Sequence, residues 1–297
     1  MGLLRGWRST LVNVRTDAIA KTRRQLNTLL VFVLLVVVAA LYFIPFLWLL
    51  ITSLKPQNQV FTDPLTWIPD PVQWQNYVDA LTSPAFPFFT LLGNTLFYAC
   101  LSTLGIVFAS AMVAYGFARL EFVGRNVLFG ITLATMMLPL VVTLIPTYIL
   151  FRYMNLVGTY APLIAPAFLG NAFNIFLLRQ FMLTIPWELS DAAKVDGANE
   201  FVTFVRIILP LVKPALLVVA VFHFLYAWND FQGPLIYLDD SSEYPLVLGL
   251  YSFQTRMSVQ WHLMMAAAMS VTLPLIVLFF VAQRYFIEGI TLSGLKG

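Results

Sequence analysis

The chain has 297 residues, 60% of them hydrophobic and only 10% charged, with a net charge of +3 and a mean hydropathy of +0.83. A soluble domain carries about 25% charged residues, so this composition excludes a soluble enzyme and a disordered chain and makes the bilayer the solvent. The small, dispersed charge argues against nucleic acid, and the single cysteine, Cys100, excludes an internal disulfide framework and a cysteine-rich metal site.

A helix crossing a hydrocarbon core of roughly 30 Å needs about 20 mostly apolar residues. Six stretches qualify: 29–54, 88–118, 127–151, 160–178, 211–237 and 261–286. The first follows a basic stretch, Arg5 to Arg24, as a signal peptide does. It is far longer than a signal core of about 7–15 residues and is followed by no small-x-small cleavage site, so it is read as an uncleaved span. Apart from Lys213 and Arg284 close to the ends of the last two stretches, the one full charge is Asp230, which lies in the fifth together with His223. Prolines such as Pro139, Pro146, Pro166 and Pro234 lie in or beside the spans, where each removes a backbone donor and favours a kink.

With six spans the connecting loops alternate sides. Fourteen lysines and arginines then fall on the side of the termini, against Lys55, Arg152 and Arg256 on the other. Positive residues stay inside, which predicts an all-α, six-span membrane protein with cytoplasmic N and C termini. The expected organisation is a cytoplasmic segment over 1–28, the first span over 29–54, an outer loop over 55–87 and a core over 88–286. That core includes a cytoplasmic loop over 184–210 and an outer loop over 239–260, and a tail follows over 287–297.

The loop from Thr184 to Pro214 carries the strongest local signals. Pro186 and Glu188 suit the first turn of a helix, and Asp191 and Lys194 are spaced to meet on one face. Leu189, Ala192 and Ala193 form a narrow apolar stripe. Gly197 is placed to end the helix in a left-handed conformation, and Asn199 to cap a second helix through Phe201, Phe204, Val205 and Ile208 that Pro210 interrupts. Helical spacing alone is equally compatible with an amphipathic interfacial connector.

The detailed pattern goes further. Ala192, Ala193, Asp196, Gly197, Ala198, Phe204, Ile207, Leu209, Pro210 and Pro214 resemble, with every spacing kept, the coupling loop of ABC importer permeases. The one departure is Asp191, where that family usually has glutamate. Three weaker features resemble the carbohydrate branch, in the manner of the second permease subunit of maltose-type importers. They are Thr52-Ser53-Leu54-Lys55 followed by Trp74-Gln75-Asn76-Tyr77, the run Trp228-Asn229-Asp230-Phe231, and the glycine-rich C-terminus from Gly289 to Gly297.

The resemblance implies a type I ABC importer permease fold in a prokaryotic plasma (inner) membrane, carrying sugar as part of a complex. Its partners would be a second permease subunit, two ATPase subunits that bind ATP and Mg, an extracytoplasmic solute-binding protein, and membrane lipid. The ATPase contact would be made by Glu188, Asp191, Ala192, Ala193, Lys194, Asp196, Gly197 and Ala198. Ser293, Gly294 and Lys296 of the tail would reach the ATPase interface, although a disordered end is the ordinary state of a terminus. The outer loop over 239–260 would face the solute-binding protein, where its plain reading is a surface connector.

The chain itself has no GxxxxGK[ST] phosphate loop and no HExxH. No catalytic residue, metal site or bound cofactor is therefore expected. Asp230, an intramembrane acid, is a functional candidate by default. Asn171, Asn174, Tyr226, Trp228 and Asn229 could bind hydroxyls with it, and could equally link helices. A permease for a glycerol phosphodiester, sugar phosphate or polyol, an ion-coupled secondary transporter and a channel subunit are the alternatives.

Overall fold

The computed structural model describes residues 3–62, 66–254 and 259–294, with side chains described within 25–283 except at residue 140 and in the two gaps. Among the described residues the chain is all-helical, apart from one isolated antiparallel bridge between Gln254 and Val259. In order the helices are α1 (Leu3–Ser53), α2 (Gln75–Leu81), α3 (Phe88–Arg119), α4 (Arg125–Thr135), α5 (Leu140–Tyr153), α6 (Ala161–Ile164) and α7 (Ala172–Leu183). Then follow α8 (Glu188–Val195), α9 (Glu200–Thr203), α10 (Leu209–Leu211), α11 (Lys213–Trp228), α12 (Gln232–Tyr237), α13 (Leu246–Gly249) and α14 (Trp261–Gly294).

Four described helical stretches are long and apolar enough to cross a bilayer: Gln25–Ser53, Phe88–Arg119, Ala161–Leu183 and Trp261–Gln283. A fifth forms if Glu200–Leu211 and Lys213–Trp228, bent by 78°, count as one span.

Three predicted spans are interrupted, each for a visible reason. The stretch 127–151 is two helices, because Pro139 lacks an N–H and takes an extended conformation (φ −62°, ψ 138°) ahead of α5. In 160–178 the helix stops at Gly170, whose φ of +82° and ψ of 171° suit glycine alone, and restarts at Asn171. The side-chain oxygen of Asn171 accepts from Phe173 N–H at 2.9 Å, capping α7, which continues to Leu183. In 211–237, α11 ends at Trp228 and α12 begins at Gln232, leaving Asp230 in the break. The sixth helix is longer than read, its backbone continuing to Gly294.

The centre of the bundle is α3, which packs against α7 and α11. Its buried face carries Ala99, Ser102, Gly105, Ala109, Ser110 and Ala114, small residues that let neighbouring backbones approach. A β-carbon at Gly105 would lie 2.6 Å from the Phe168 ring. Beside it, α14 packs on α1, α2 and α11.

The motifs at the end of α1 and in α2 lock onto each other. Asn76 Nδ2 donates to the Ser53 and Lys55 carbonyls at 2.9 and 2.8 Å, satisfying orphan acceptors at the end of α1. Tyr77 Oη and Ser53 Oγ share a 2.8 Å hydrogen bond. Lys55 is buried with its Nζ 4.6 Å over the Trp48 ring. The loop over 239–260 is more than a surface connector: Leu246, Leu248 and Phe253 are buried, and Thr95 Oγ1 accepts from Leu246 N–H at 2.8 Å.

Candidate functional site

Two features stand out, one at each kind of break. The first is the bend between α8 and α9. Gly197 sits at φ +79°, its N–H donating to Lys194 O at 3.0 Å, while Ala198 N–H donates to Ala193 O at 2.9 Å. This is the glycine-terminated helix end the sequence predicts. Asn199 accepts from Val202 N–H at 2.9 Å and caps α9. Phe204–Ile208 then widens into a π-turn ahead of Pro210, which takes up the missing N–H and the ring clash.

The faces of α8 separate cleanly. Ser190 and Ala193 are buried against the body of the protein. Leu189, Ala192 and Val195 face outward, with Glu188, Asp191 and Asp196 around them. The expected apolar stripe is therefore divided, Ala193 turning inward, and Val195, 88% exposed, takes its place on the open face.

Lys194 was expected to meet Asp191. Instead it reaches across the turn to Glu200, at 3.1 Å, because the glycine bend folds the start of α9 beside it. Glu200 Oε2 also accepts from Tyr115 Oη at 2.6 Å. The Tyr115 bond first and then Lys194 hold the Glu200 carboxyl below its ordinary range. Next to it Arg119 Nη2 donates to Met182 O and Ile185 O at 2.7 and 2.6 Å, capping the end of α7, and its guanidinium lies 4.7 Å over the Trp187 ring. The bend is thus pinned to α3 at two points.

The second feature is a cavity of about 380 Å³ at the breaks in the fourth and fifth spans. Asp230 Oδ2 accepts from Tyr98 Oη at 2.8 Å and Oδ1 accepts from Gly233 N–H at 2.9 Å. Of the residues named from sequence for the substrate path, Asn171, Tyr226 and Asp230 line this space and Asn174 does not. Trp228 is buried against Phe224, ring centroids 5.5 Å apart, and Asn229 donates to Leu225 O at 2.8 Å, so both lie away from it. Tyr98, Thr143, Thr147 and Gln232 also line the cavity and were missed, and so does His223, which the sequence marks in the fifth span without giving it a role. Tyr98 stands 132 residues from Asp230, and no local spacing signals that pairing. Ser293 and Gly294 are the last residues of α14, their side chains outside the described set, and Lys296 lies outside the described residues altogether. No group of three or more histidine, cysteine, aspartate or glutamate side chains arranged for a metal occurs among the described residues.

Residues 102–291, well over half the chain, match the family described as binding-protein-dependent transport system inner membrane component. The chain belongs to this family of ABC importer permeases. Its place is therefore the inner membrane, which it crosses several times. The permease is 34% identical to the arabinooligosaccharides transport system permease protein AraQ of Bacillus subtilis strain 168, over 86% of this chain and 92% of that one. It is 32% identical to the sn-glycerol-3-phosphate transport system permease protein UgpE of Yersinia pestis bv. Antiqua, over 87% and 94%. In fold it is similar to a chain of a bacterial ABC transporter involved in the import of the acidic polysaccharide alginate, with a TM-score of 0.78 and 23% identity, covering 88% of this chain and 97% of that one.

Proposed function

We propose that this permease forms one membrane half of an ATP-driven, binding-protein-dependent sugar importer, and that the α8–α9 bend is the part an ATPase subunit grips. Family membership supports the importer reading, and the arabinooligosaccharide relative supports sugar as the cargo. Counting α4 with α5 as one span, the chain crosses six times with both termini in the cytoplasm, a reading supported by the bias of lysine and arginine. A second permease completes the path, two ATPase subunits supply ATP hydrolysis with Mg, and a solute-binding protein delivers cargo from outside. This chain does no chemistry of its own.

The observation that carries the coupling role is the outward face of α8. Leu189, Ala192 and Val195, ringed by Glu188, Asp191 and Asp196, project from a short helix, and Lys194, Glu200 and Tyr115 brace that helix from behind. An apolar strip with an acidic rim at an α-helical bend is shaped to enter a cleft. Closure of that cleft would push against α3 through the Glu200–Tyr115 contact and against the end of α7 through Arg119, reaching the helices that border the cavity. Ser293, Gly294 and Lys296 would add a second contact with the ATPase pair.

The test is uptake by proteoliposomes holding the complete importer. Uptake that needs ATP and the binding protein and survives collapse of ion gradients is expected. Uptake that follows an ion gradient instead contradicts the proposal.

A further inference from the structure

The importer reading leaves open whether the cargo is charged. The AraQ relative is named for a neutral oligosaccharide and the UgpE relative for a phosphate ester. The cavity bears on this point. Its polar wall is made of hydroxyls (Tyr98, Thr143, Thr147, Tyr226), the amides of Asn171 and Gln232, the His223 ring and the Asp230 carboxylate, and no lysine or arginine is among the described residues that line it. Its one carboxylate is fixed, both oxygens holding hydrogen bonds from Tyr98 and Gly233. The backbone at Gly233 comes so close that a β-carbon there would sit 2.5 Å from Asp230 Oδ2. Among the described lining residues no cation neutralises that negative charge. His223 Nε2 is buried with no hydrogen-bond partner, a ring nitrogen left over for a ligand.

From this donor set we infer that the cavity of this chain admits a neutral polyhydroxylated ligand, a sugar or polyol, and excludes sugar phosphates and uronates; the inference rests on the proposed importer function. A phosphate or carboxylate entering here would face the Asp230 charge, with no guanidinium or ammonium among the described lining residues of this chain to neutralise it. A hydroxyl-bearing ring meets what the wall does offer: His223 Nε2 and the Tyr226 hydroxyl for hydrogen bonds, and tyrosine rings for its C–H faces. Ligand pockets span roughly 300–1,000 Å³, and about 380 Å³ accepts one end of an oligosaccharide rather than the whole chain.

The chain's single cysteine makes the test clean. In the complete importer, Cys100→Ala is combined with Thr147→Cys, or separately with Leu144→Cys as a second reporter, and the rate of thiol labelling is measured in proteoliposomes. The probes are a panel of neutral di- and trisaccharides including arabinotriose, sn-glycerol 3-phosphate, and a trimer of alginate. A neutral probe present at about ten times its dissociation constant is expected to slow labelling about tenfold, with both anions leaving the rate unchanged. Protection by either anion overturns the inference. Protection by none, while the same vesicles still show ATP- and binding-protein-dependent sugar uptake, also overturns it and leaves the importer reading intact. Loss of that ATP dependence sinks the importer reading itself.

Discussion

The hydroxyl of Tyr115 lies 2.6 Å from the Glu200 carboxylate, joining the end of α3 to the first residue of α9. Glu200 meets Lys194 of α8 at 3.1 Å with its other oxygen. One carboxylate therefore ties the two arms of the bend to the central helix of the bundle. Glu200→Gln keeps the shape and weakens both bonds. An exposed pair of this kind is worth about 0–1 kcal/mol, so folding should be almost unchanged. ATP hydrolysis per sugar transported should rise. Paired ATPase and uptake measurements on the same vesicles check this, and an unchanged ratio counts against Glu200 as a link.

The same carboxylate sets a pH expectation. Its folded-state pKa is depressed below the ordinary 4.5, by Tyr115 first and Lys194 after it. A depressed acid contributes stability that is fully present above the ordinary value and is lost as pH falls through the folded one. Coupling through Glu200 should then hold steady between about pH 8 and 5 and fail only in stronger acid. A fall in the uptake-to-ATPase ratio that begins near pH 6 and disappears in Glu200→Gln would place its titration too high for this account.

At Gly197 the positive φ matters and space does not, since nothing lies within 4 Å of where a β-carbon would stand. Gly197→Ala should cost about 1–2 kcal/mol of local strain and slow uptake modestly. Gly197→Pro cannot adopt φ +79° and also removes the N–H that donates to Lys194 O. It should abolish coupled uptake while leaving membrane insertion intact, as fractionation and uptake on the same cells would show.

Away from the bend, Asn76→Ala strips the Ser53 and Lys55 carbonyls of their donor at a buried site. The expected loss is about 1–3 kcal/mol, read as a lower melting temperature in detergent. Gly249→Ala tests packing nearby. Its β-carbon would fall 2.4 Å from Leu91 Cδ1 and 3.2 Å from the Phe86 ring, both buried. Overpacking of about 1–3 kcal/mol should follow, and a melting temperature equal to wild type would show that Leu91 yields.

The long apolar runs announce the membrane and the helices, because hydrocarbon leaves the backbone no alternative that satisfies its own hydrogen bonds. The Gly197 turn and the Asn199 cap are equally legible, since both depend on residues within four positions of each other. The breaks are less so. A hydropathy window averages over Met136 to Pro139, over Gly170 and over Asn229 to Phe231, where local backbone geometry decides the outcome. Lys194 shows the other limit: helical spacing offers Asp191, but the turn brings in Glu200 and α3 brings Tyr115 to hold it. The cavity is harder still, as Tyr98 of α3 meets Asp230, in the break after His223's helix α11, only when α3 and α11 pack together.

The most direct test of the account is proximity at α8. In the Cys100→Ala background, Val195→Cys or Ala192→Cys on the open face and Ser190→Cys on the buried face are treated with a short bifunctional crosslinker in the assembled importer. The account predicts an adduct between this chain and an ATPase polypeptide from Val195→Cys and Ala192→Cys, and none from Ser190→Cys. Intact, transport-competent complexes in which neither outward position ever captures an ATPase polypeptide would contradict it.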